Sequence, residues 1–183
     1  MAQYETATLA SGCFWCTEAV FKRLKGIVSV FPGYAASKVD NPSYQQVCTG
    51  RTGAAEGIQI TYDPSIISYE KVLEIFWHLH DPTTLNRQGN DAGTQYRSAV
   101  YYHNAAQKQI AEQVKAALEQ SHTYKDPIVT EIAPFTNFHR AEDYHMDYYD
   151  NNRYQPYCRA VIDPKVRKLL KEYSNEVKEV GVK

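Results

Sequence analysis

The order of strands and helices limits the fold of this 183-residue chain more than any other feature of its sequence. Alternating or continuous apolar residues predict strands over 6–10, 26–31, 55–62, 96–102 and 128–133. Helical periodicity and N-cap residues predict helices over 13–24, 68–79, 104–118, 139–149 and 164–177. Strands interleaved with helices in this way predict an α/β fold with a mixed sheet, arranged as a two-layer sandwich. The length predicts a single domain over 1–183.

Charge and composition exclude several classes of partner. Twenty Lys and Arg residues against twenty-one Asp and Glu give a net charge of -1, so the electrostatic signature of nucleic-acid or anionic-membrane binding is missing. There is no run of about eighteen apolar residues to span a membrane, and the first residues have no features of a secretory signal. Four cysteines are too few for a disulfide scaffold, which favours a cytoplasmic enzyme with functional thiols.

The strongest chemical signal is Gly12-Cys13-Phe14-Trp15-Cys16, where a predicted strand meets a predicted helix. The positive end of a helix dipole lowers the pKa of a thiol, so Cys13 is predicted to be a nucleophile with a raised thiolate fraction. Cys16 lies about one helical turn later, within reach of a disulfide. The structural alternative is a pair of small buried residues at a helix start. Two large rings between the cysteines favour a pocket wall instead.

The sequence gives little support for a metal site. Zinc would need a second close pair of ligands, and Cys48 and Cys158 are isolated. Glu142 and His145 have the spacing of di-iron helices, but such sites require two pairs of this kind. Structural hydrogen bonds are the better explanation of that pair, and no cofactor is expected.

Glu56 shares strand parity with Ile58, Ile60 and Tyr62, so its carboxyl group is predicted to point towards the apolar side. Burial raises the pKa of a carboxyl group, which would let Glu56 hold and deliver a proton near neutral pH. The alternative is that Glu56 lies at the strand end and faces solvent.

Two polar loops, 41–44 and 89–98, combine glycine, amide, acid and tyrosine residues. Such loops can direct hydrogen-bond donors at a small polar ligand, although most are ordinary connections. The run from Lys165 to Lys178 is interpreted as a solvated helix face.

These motifs occur together, and in the same order, in a known family. They are GCFWC at 12–16, FPGYA at 31–35, NPSYQQVCTGRTG at 41–53, YDP at 62–64, HDPTT at 80–84, QGNDAGTQYRS at 88–98 and AEDYH at 141–145. The chain thereby resembles the A-type peptide methionine sulfoxide reductases, which repair oxidised methionine. The resemblance implies an α/β sandwich with a ferredoxin-like core, no cofactor, and thioredoxin or another thiol as reductant.

The resemblance also implies roles for individual residues. Cys13 corresponds to the nucleophile that attacks the sulfoxide sulfur and becomes a sulfenic acid, and Glu56 to the acid that protonates the oxygen. The remaining roles are two rings that receive the S-methyl group, two phenols that bind the oxygen and a supporting loop carboxylate: Phe14, Trp15, Tyr44, Tyr96 and Asp91. The implied substrate is methionine S-sulfoxide, free or in proteins.

The cysteine that resolves the sulfenic acid is left open. Our hypothesis is that Cys16 resolves Cys13, with Cys158 as its competitor, and that Cys48 is buried and inert.

Two other functions fit parts of the sequence. A thioredoxin-like dithiol-disulfide oxidoreductase also has a C-x-x-C motif at a helix start, but it has no need of Glu56 or the tyrosine loops. A module that binds oxidised or methylated side chains would use the aromatic pocket without the Cys13 thiol.

Overall fold

Strands and helices follow one another in the interleaved order that the sequence predicts, over residues 3–179, which the computed structural model describes. The strands are β1 (Glu5–Ser11), β2 (Ile27–Ala35), β3 (Ala55–Tyr62), β4 (Arg87–Gln88), β5 (Asp91–Ala92), β6 (Ser98–Tyr102), β7 (Glu131–Pro134) and β8 (Phe138–Arg140). The helices are α1 (Phe14–Phe21), α2 (Tyr44–Cys48), α3 (Tyr69–His78), α4 (Ala105–Gln120), α5 (Tyr148–Asn151) and α6 (Asp163–Glu172). The predicted N-caps of α3 and α4, Ser68 and Asn104, both accept a backbone hydrogen bond.

Six of the strands form one mixed sheet in the order β7-β6-β1-β3-β2-β8. All neighbours are antiparallel except β6 and β7, which are parallel. Helix α1 connects β1 to β2, and α3 lies between β3 and β6 in the chain. The predicted α/β class with a mixed sheet is confirmed. The short strands β4 and β5 pair separately as a hairpin within the predicted loop before β6.

The main core lies between the helices and one face of the sheet. Leu9 of β1 and Ile58 of β3 point to this face, and they meet Phe21 of α1 and Phe76 of α3. All four side chains are nearly completely buried, and each such burial contributes about 2 kcal/mol. Because Glu56 is two residues from Ile58 on β3, its side chain also points to the helical side.

Strand β2 continues through Pro32-Gly33, where the sequence predicted that it would end. Gly33 lies against β8, and a Cβ atom at this position would lie 2.3 Å from the carbonyl oxygen of His139. The glycine therefore permits a close approach of two strands here rather than a turn.

The predicted helix over 139–149 is wrong. This segment contains β8, a single 3-10 turn at Asp143–His145 and the short helix α5. The backbone N–H of Ala141 donates to the carbonyl oxygen of Pro32, which extends the contact between this segment and β2. Asp147 then has a φ of 52°, which breaks any helix at that point. The last helix ends earlier than predicted, at Glu172, and a π-helical segment at Cys158–Ile162 runs directly into its start.

Among residues 3–179, no helix is both long and apolar enough to cross a membrane.

Candidate active site

Cys13 lies in the tight turn between β1 and α1, immediately before the first residue of the helix. The preceding residue, Gly12, has a φ of 91°, and a Cβ atom there would lie 2.6 Å from the Cβ of Gln88. Both features require glycine, so the turn that presents Cys13 depends on Gly12. The predicted position of the thiol at the junction of a strand and a helix is therefore correct.

The predicted ionisation of Cys13 is wrong. Burial raises the pKa of the Cys13 thiol well above its ordinary value, and the neighbouring Cys16 and Glu56 raise it further. The helix dipole does not overcome this desolvation, because Cys13 is only 8% exposed. The pKa of Cys16 is lowered instead, first by a hydrogen bond with Cys13 and then by the charge of Lys165.

Glu56 is buried on the helical side of β3, as its strand parity predicted, and only 1% of it is exposed. Burial raises its pKa to about 8, and the charges of Asp91 and Cys16 add to this effect. The backbone N–H of Phe14 donates to Glu56 Oε2 at 3.4 Å. Glu56 is therefore a protonated acid at neutral pH, next to the turn that holds Cys13.

Two phenols face Glu56 from different loops. Tyr44 is the first residue of α2, which Ser43 caps, and Tyr96 ends a 3-10 turn before β6. Burial raises the pKa of each phenol above its ordinary value, and the charge of Glu56 raises both further. Both hydroxyl groups therefore remain protonated hydrogen-bond donors beside the acid.

Aromatic rings pack against one another beside Cys13 and form a wall there. The Phe14 ring packs against His145 at 4.9 Å between centroids, and the Trp15 ring stacks on Tyr148 at 3.8 Å. The indole Nε1 of Trp15 donates to His145 Nδ1 at 3.0 Å. His145 and Tyr148 thus hold these two rings in place. The sequence predicted structural hydrogen bonds for His145 and indicated no role for Tyr148.

Glu142 forms structural hydrogen bonds, as the sequence predicted, but its contacts with residues of the site were not foreseen. Its Oε1 accepts a hydrogen bond from the hydroxyl group of Tyr34 at 2.9 Å, and its Oε2 accepts one from the backbone N–H of Tyr44 at 3.2 Å. This carboxylate therefore connects the 141–145 segment to β2 and α2. The signal for it was present, since Tyr34 and Glu142 both belong to motifs quoted above.

Tyr157 was also missed. Its hydroxyl group donates to Asp91 Oδ2 at 2.7 Å and also contacts the Cys13 thiol. Its ring meets Trp15 edge-on at 5.8 Å. Asp91, on β5, thus reaches the site through Tyr157, which closes over Cys13.

The four cysteines are all free, and the structure separates Cys48 from the other three. Cys13, Cys16 and Cys158 share one buried cluster, in which Cys158 is completely covered. Cys48 is exposed at the end of α2, next to the Tyr44 hydroxyl group, so the prediction that it is buried is wrong. It lies on the outer side of a short helix, where only Val47 reaches the core.

Within the described part of the chain, no three His, Cys, Asp or Glu side chains come together as a possible metal site. Glu142 and His145 instead contact Tyr34, Tyr44 and Trp15.

Comparisons with known proteins agree on one family. A model of that family, described as "Peptide methionine sulfoxide reductase", matches residues 5–178. The chain is 58% identical over 174 residues to a "Peptide methionine sulfoxide reductase MsrA" from Saccharolobus solfataricus, which covers 95% of this chain and 97% of that protein.

Solved structures show the same likeness. The reduced form of Mxr1 from Saccharomyces cerevisiae superimposes with a TM-score of 0.77 at 37% identity, over 85% of this chain and 90% of that one. Mxr1 in complex with Trx2 superimposes with a TM-score of 0.56 at 26% identity, over 80% and 85% of the two chains. These matches favour the reductase over the dithiol oxidoreductase and the binding module.

Proposed function

The chain belongs to the peptide methionine sulfoxide reductase family, and from this premise we propose that it reduces methionine S-sulfoxide, free or in proteins, through a sulfenic acid on Cys13. Reduction of methionine sulfoxide is the family's enzymatic activity. The observation that carries the proposed mechanism is a thiol, a protonated carboxyl group and two protonated phenols gathered beside an aromatic wall.

In the proposed first step, Cys13 Sγ attacks the sulfoxide sulfur while Glu56 donates its proton to the oxygen. The S–O bond and the new bond between the two sulfur atoms then break, the oxygen moves to Cys13 as the hydroxyl group of a sulfenic acid, and methionine is released. The proton that Cys13 loses restores Glu56. A pKa of about 8 supports this role, because Glu56 still carries its proton at neutral pH.

Tyr44 and Tyr96 donate hydrogen bonds to the sulfoxide oxygen as negative charge develops on it. Phe14 and Trp15 bind the methyl group, so the oxygen and the methyl group of the chiral sulfur enter different surroundings. Asp91 supports this arrangement through Tyr157. This division of the site into a polar and an apolar side would allow the enzyme to distinguish the two epimers of the sulfoxide.

We assign the resolving step to Cys16. Its thiol is hydrogen-bonded to Cys13, and its lowered pKa supplies the thiolate that displaces hydroxide from the sulfenic acid. Cys158 remains the alternative, since it lies in the same buried cluster. The resulting disulfide is reduced by a dithiol. Thioredoxin is the proposed donor, because a relative of this fold forms a complex with Trx2.

The test is a single turnover with each epimer of a methionine sulfoxide peptide in the absence of reductant. We expect one equivalent of methionine from the S epimer, the loss of two thiols, and a disulfide that peptide mapping assigns to Cys13 and Cys16. Preference for the R epimer would contradict the proposed selectivity, and a link between Cys13 and Cys158 would contradict the assignment of Cys16.

Two variants separate the roles of the cysteines. Cys13→Ser should form no methionine, whereas Cys16→Ser should still form one equivalent and then retain a sulfenic acid, detectable by a dimedone probe. Immediate disulfide formation in Cys16→Ser would show that Cys158 resolves the intermediate.

A further inference from the structure

A cleft of about 500 Å³ opens onto the cysteine pair between the β4–β5 hairpin and the segment 157–165. Neither the rings and phenols proposed to bind the sulfoxide nor Glu56 line this cleft. It therefore gives access to the two sulfur atoms by a different surface from the groups proposed to bind the sulfoxide. The residues that line it near the thiols are Cys13, Cys16, Gln88, Asp91, Tyr157 and Lys165.

Lys165 is the cation of this cleft. It is half-buried in the first turn of α6 and forms no ion pair with any carboxylate of residues 3–179. A π-helical segment at Cys158–Ile162 runs directly into α6, so Lys165 lies inside a continuous helical stretch and not at the positive end of a helix dipole. No carboxylate of the described residues thus accounts for the position of this ammonium group, whereas Cys16 lines both the cleft and a smaller cavity together with Lys165.

We propose that Lys165 is the charge partner of a Cys16 thiolate, and that the cleft is the surface at which the thiol-exchange steps of the cycle occur. The proposal rests on the function proposed above, in which Cys16 resolves the sulfenic acid.

The same thiolate takes part in two steps. First, the Cys16 thiolate attacks Cys13 Sγ of the sulfenic acid, the S–S bond forms, and hydroxide leaves and takes up a proton to become water. Later, a thiolate of the dithiol reductant attacks Cys13 Sγ, the S–S bond breaks, and Cys16 leaves as a thiolate. The second thiol of the reductant then releases Cys13, so the reductant is oxidised to a disulfide.

The pKa values of Cys13 and Cys16 agree with attack of the reductant on Cys13 and departure of Cys16. The pKa of Cys16 is lowered by its hydrogen bond with Cys13 and by the charge of Lys165, whereas the pKa of Cys13 is raised by burial. The thiol with the lower pKa is the better leaving group in disulfide exchange. The titratable groups that face Cys16 come from several elements: Cys13, Glu56, Asp91, Tyr157, Cys158 and Lys165.

The test compares Lys165→Met with Lys165→Arg, which keeps the charge, and with the control Lys171→Met on the exposed side of the same helix. Rapid quenching during a single turnover measures methionine formation, as an internal reference, and formation of the disulfide by thiol alkylation. Reduction of the preformed disulfide by a dithiol is measured separately.

Loss of the cation should raise the pKa that governs disulfide formation by about one unit. At pH values below the wild-type pKa this step should slow by about threefold relative to methionine formation, because a tenfold loss of thiolate is partly offset by the greater nucleophilicity of a more basic thiolate. Above the new pKa the variant should be faster than the wild type by about the same factor. Disulfide reduction should be slower, and Lys165→Arg and Lys171→Met should retain the wild-type profile.

Coincident pH profiles for Lys165→Met and the wild type would overturn the proposal. Profiles that cross would support it, because a purely structural change would not make the variant slower at low pH and faster at high pH. The wild type is measured first. If it forms no disulfide between Cys13 and Cys16, the proposed function itself is wrong in assigning Cys16. If that disulfide forms normally and the variant has no effect, only the role of Lys165 is wrong.

Discussion

Burial, more than any neighbouring charge, determines the proton affinity of Glu56, and this leads to a distinctive pH dependence. Methionine formation in a single turnover should be slower by about a hundredfold or more in Glu56→Gln, because the amide cannot donate a proton to the sulfoxide oxygen. The ratio of the wild-type rate to the variant rate should be constant below pH 8 and should fall above it, as Glu56 loses its proton. Dividing the two rates removes most of the contribution of Cys13 ionisation.

Rapid-quench measurements from pH 6 to pH 10 check this expectation. Glu119→Gln, an exposed change on α4, is the matched control and should give a ratio of one throughout. A ratio of one for Glu56→Gln would exclude Glu56 as the acid.

Single residues were predictable to the extent that local pattern determines their surroundings. Strand parity alone directed Glu56 to the apolar side, and the GCFWC motif located Cys13 at a turn. The pKa of Cys13 was not predictable in the same way, because it depends on covering groups from distant segments, among them Tyr157. The sequence assigned Lys165 to a solvated helix face, because helical periodicity does not show which other segments of the chain pack against α6.

At the level of elements, the strands and long helices follow from periodicity, but the 139–149 segment does not. Its residues have a helical pattern, and yet the segment lies along β2 because Ala141 and Glu142 form hydrogen bonds with Pro32, Tyr34 and Tyr44. These bonds join positions about one hundred residues apart in the chain, so no local window contains the information. Tertiary contacts override local propensity here.

A double-mutant cycle tests whether the hydrogen bond between Tyr34 and Glu142 stabilises this segment. Tyr34→Phe and Glu142→Gln should each lower the free energy of unfolding, and the double variant should show a coupling energy of about 1.5 kcal/mol, because a buried hydroxyl group donates to a carboxylate. Urea unfolding of the four proteins gives this value. Additive effects would mean that the segment is retained by its backbone contacts alone.

Tyr144→Phe provides the comparison within the same site. Its exposed hydroxyl group reaches the same carboxylate at 3.4 Å, so its coupling with Glu142→Gln should be close to zero.

For the whole molecule, burial makes stability depend on the protonation of several ionisable groups, and at Glu56 the proposed activity depends on the same proton. Burial raises the pKa of Glu18 to about 7 and that of Glu56 to about 8, and it lowers the pKa of His80 to about 3. The sequence predicted the fold class from the order of elements, but the sheet order and the segments that cover each carboxyl group are properties of the assembled chain. The energetic cost of a buried acid could therefore not be read from the sequence.

The cost of burying an acid should be measurable at Glu56. Between pH 4.5, the ordinary pKa of a glutamate, and pH 8, the folded protein retains a proton that the unfolded chain has lost. The folded state therefore binds more protons in this window, and the contribution of Glu56 to stability falls as pH rises through it. Since glutamine has no such loss, the free energy of unfolding of Glu56→Gln minus that of the wild type should increase from pH 4.5 to pH 8 and then become constant. The increase should amount to a few kcal/mol, at about 1.4 kcal/mol for each pKa unit. Urea unfolding at several pH values measures the difference, in which the titrations of Glu18 and His80 cancel. A flat difference, like that expected for Glu119→Gln, would mean that the carboxyl group is solvated in the folded state, and the site would then lack the proton that sulfoxide reduction requires.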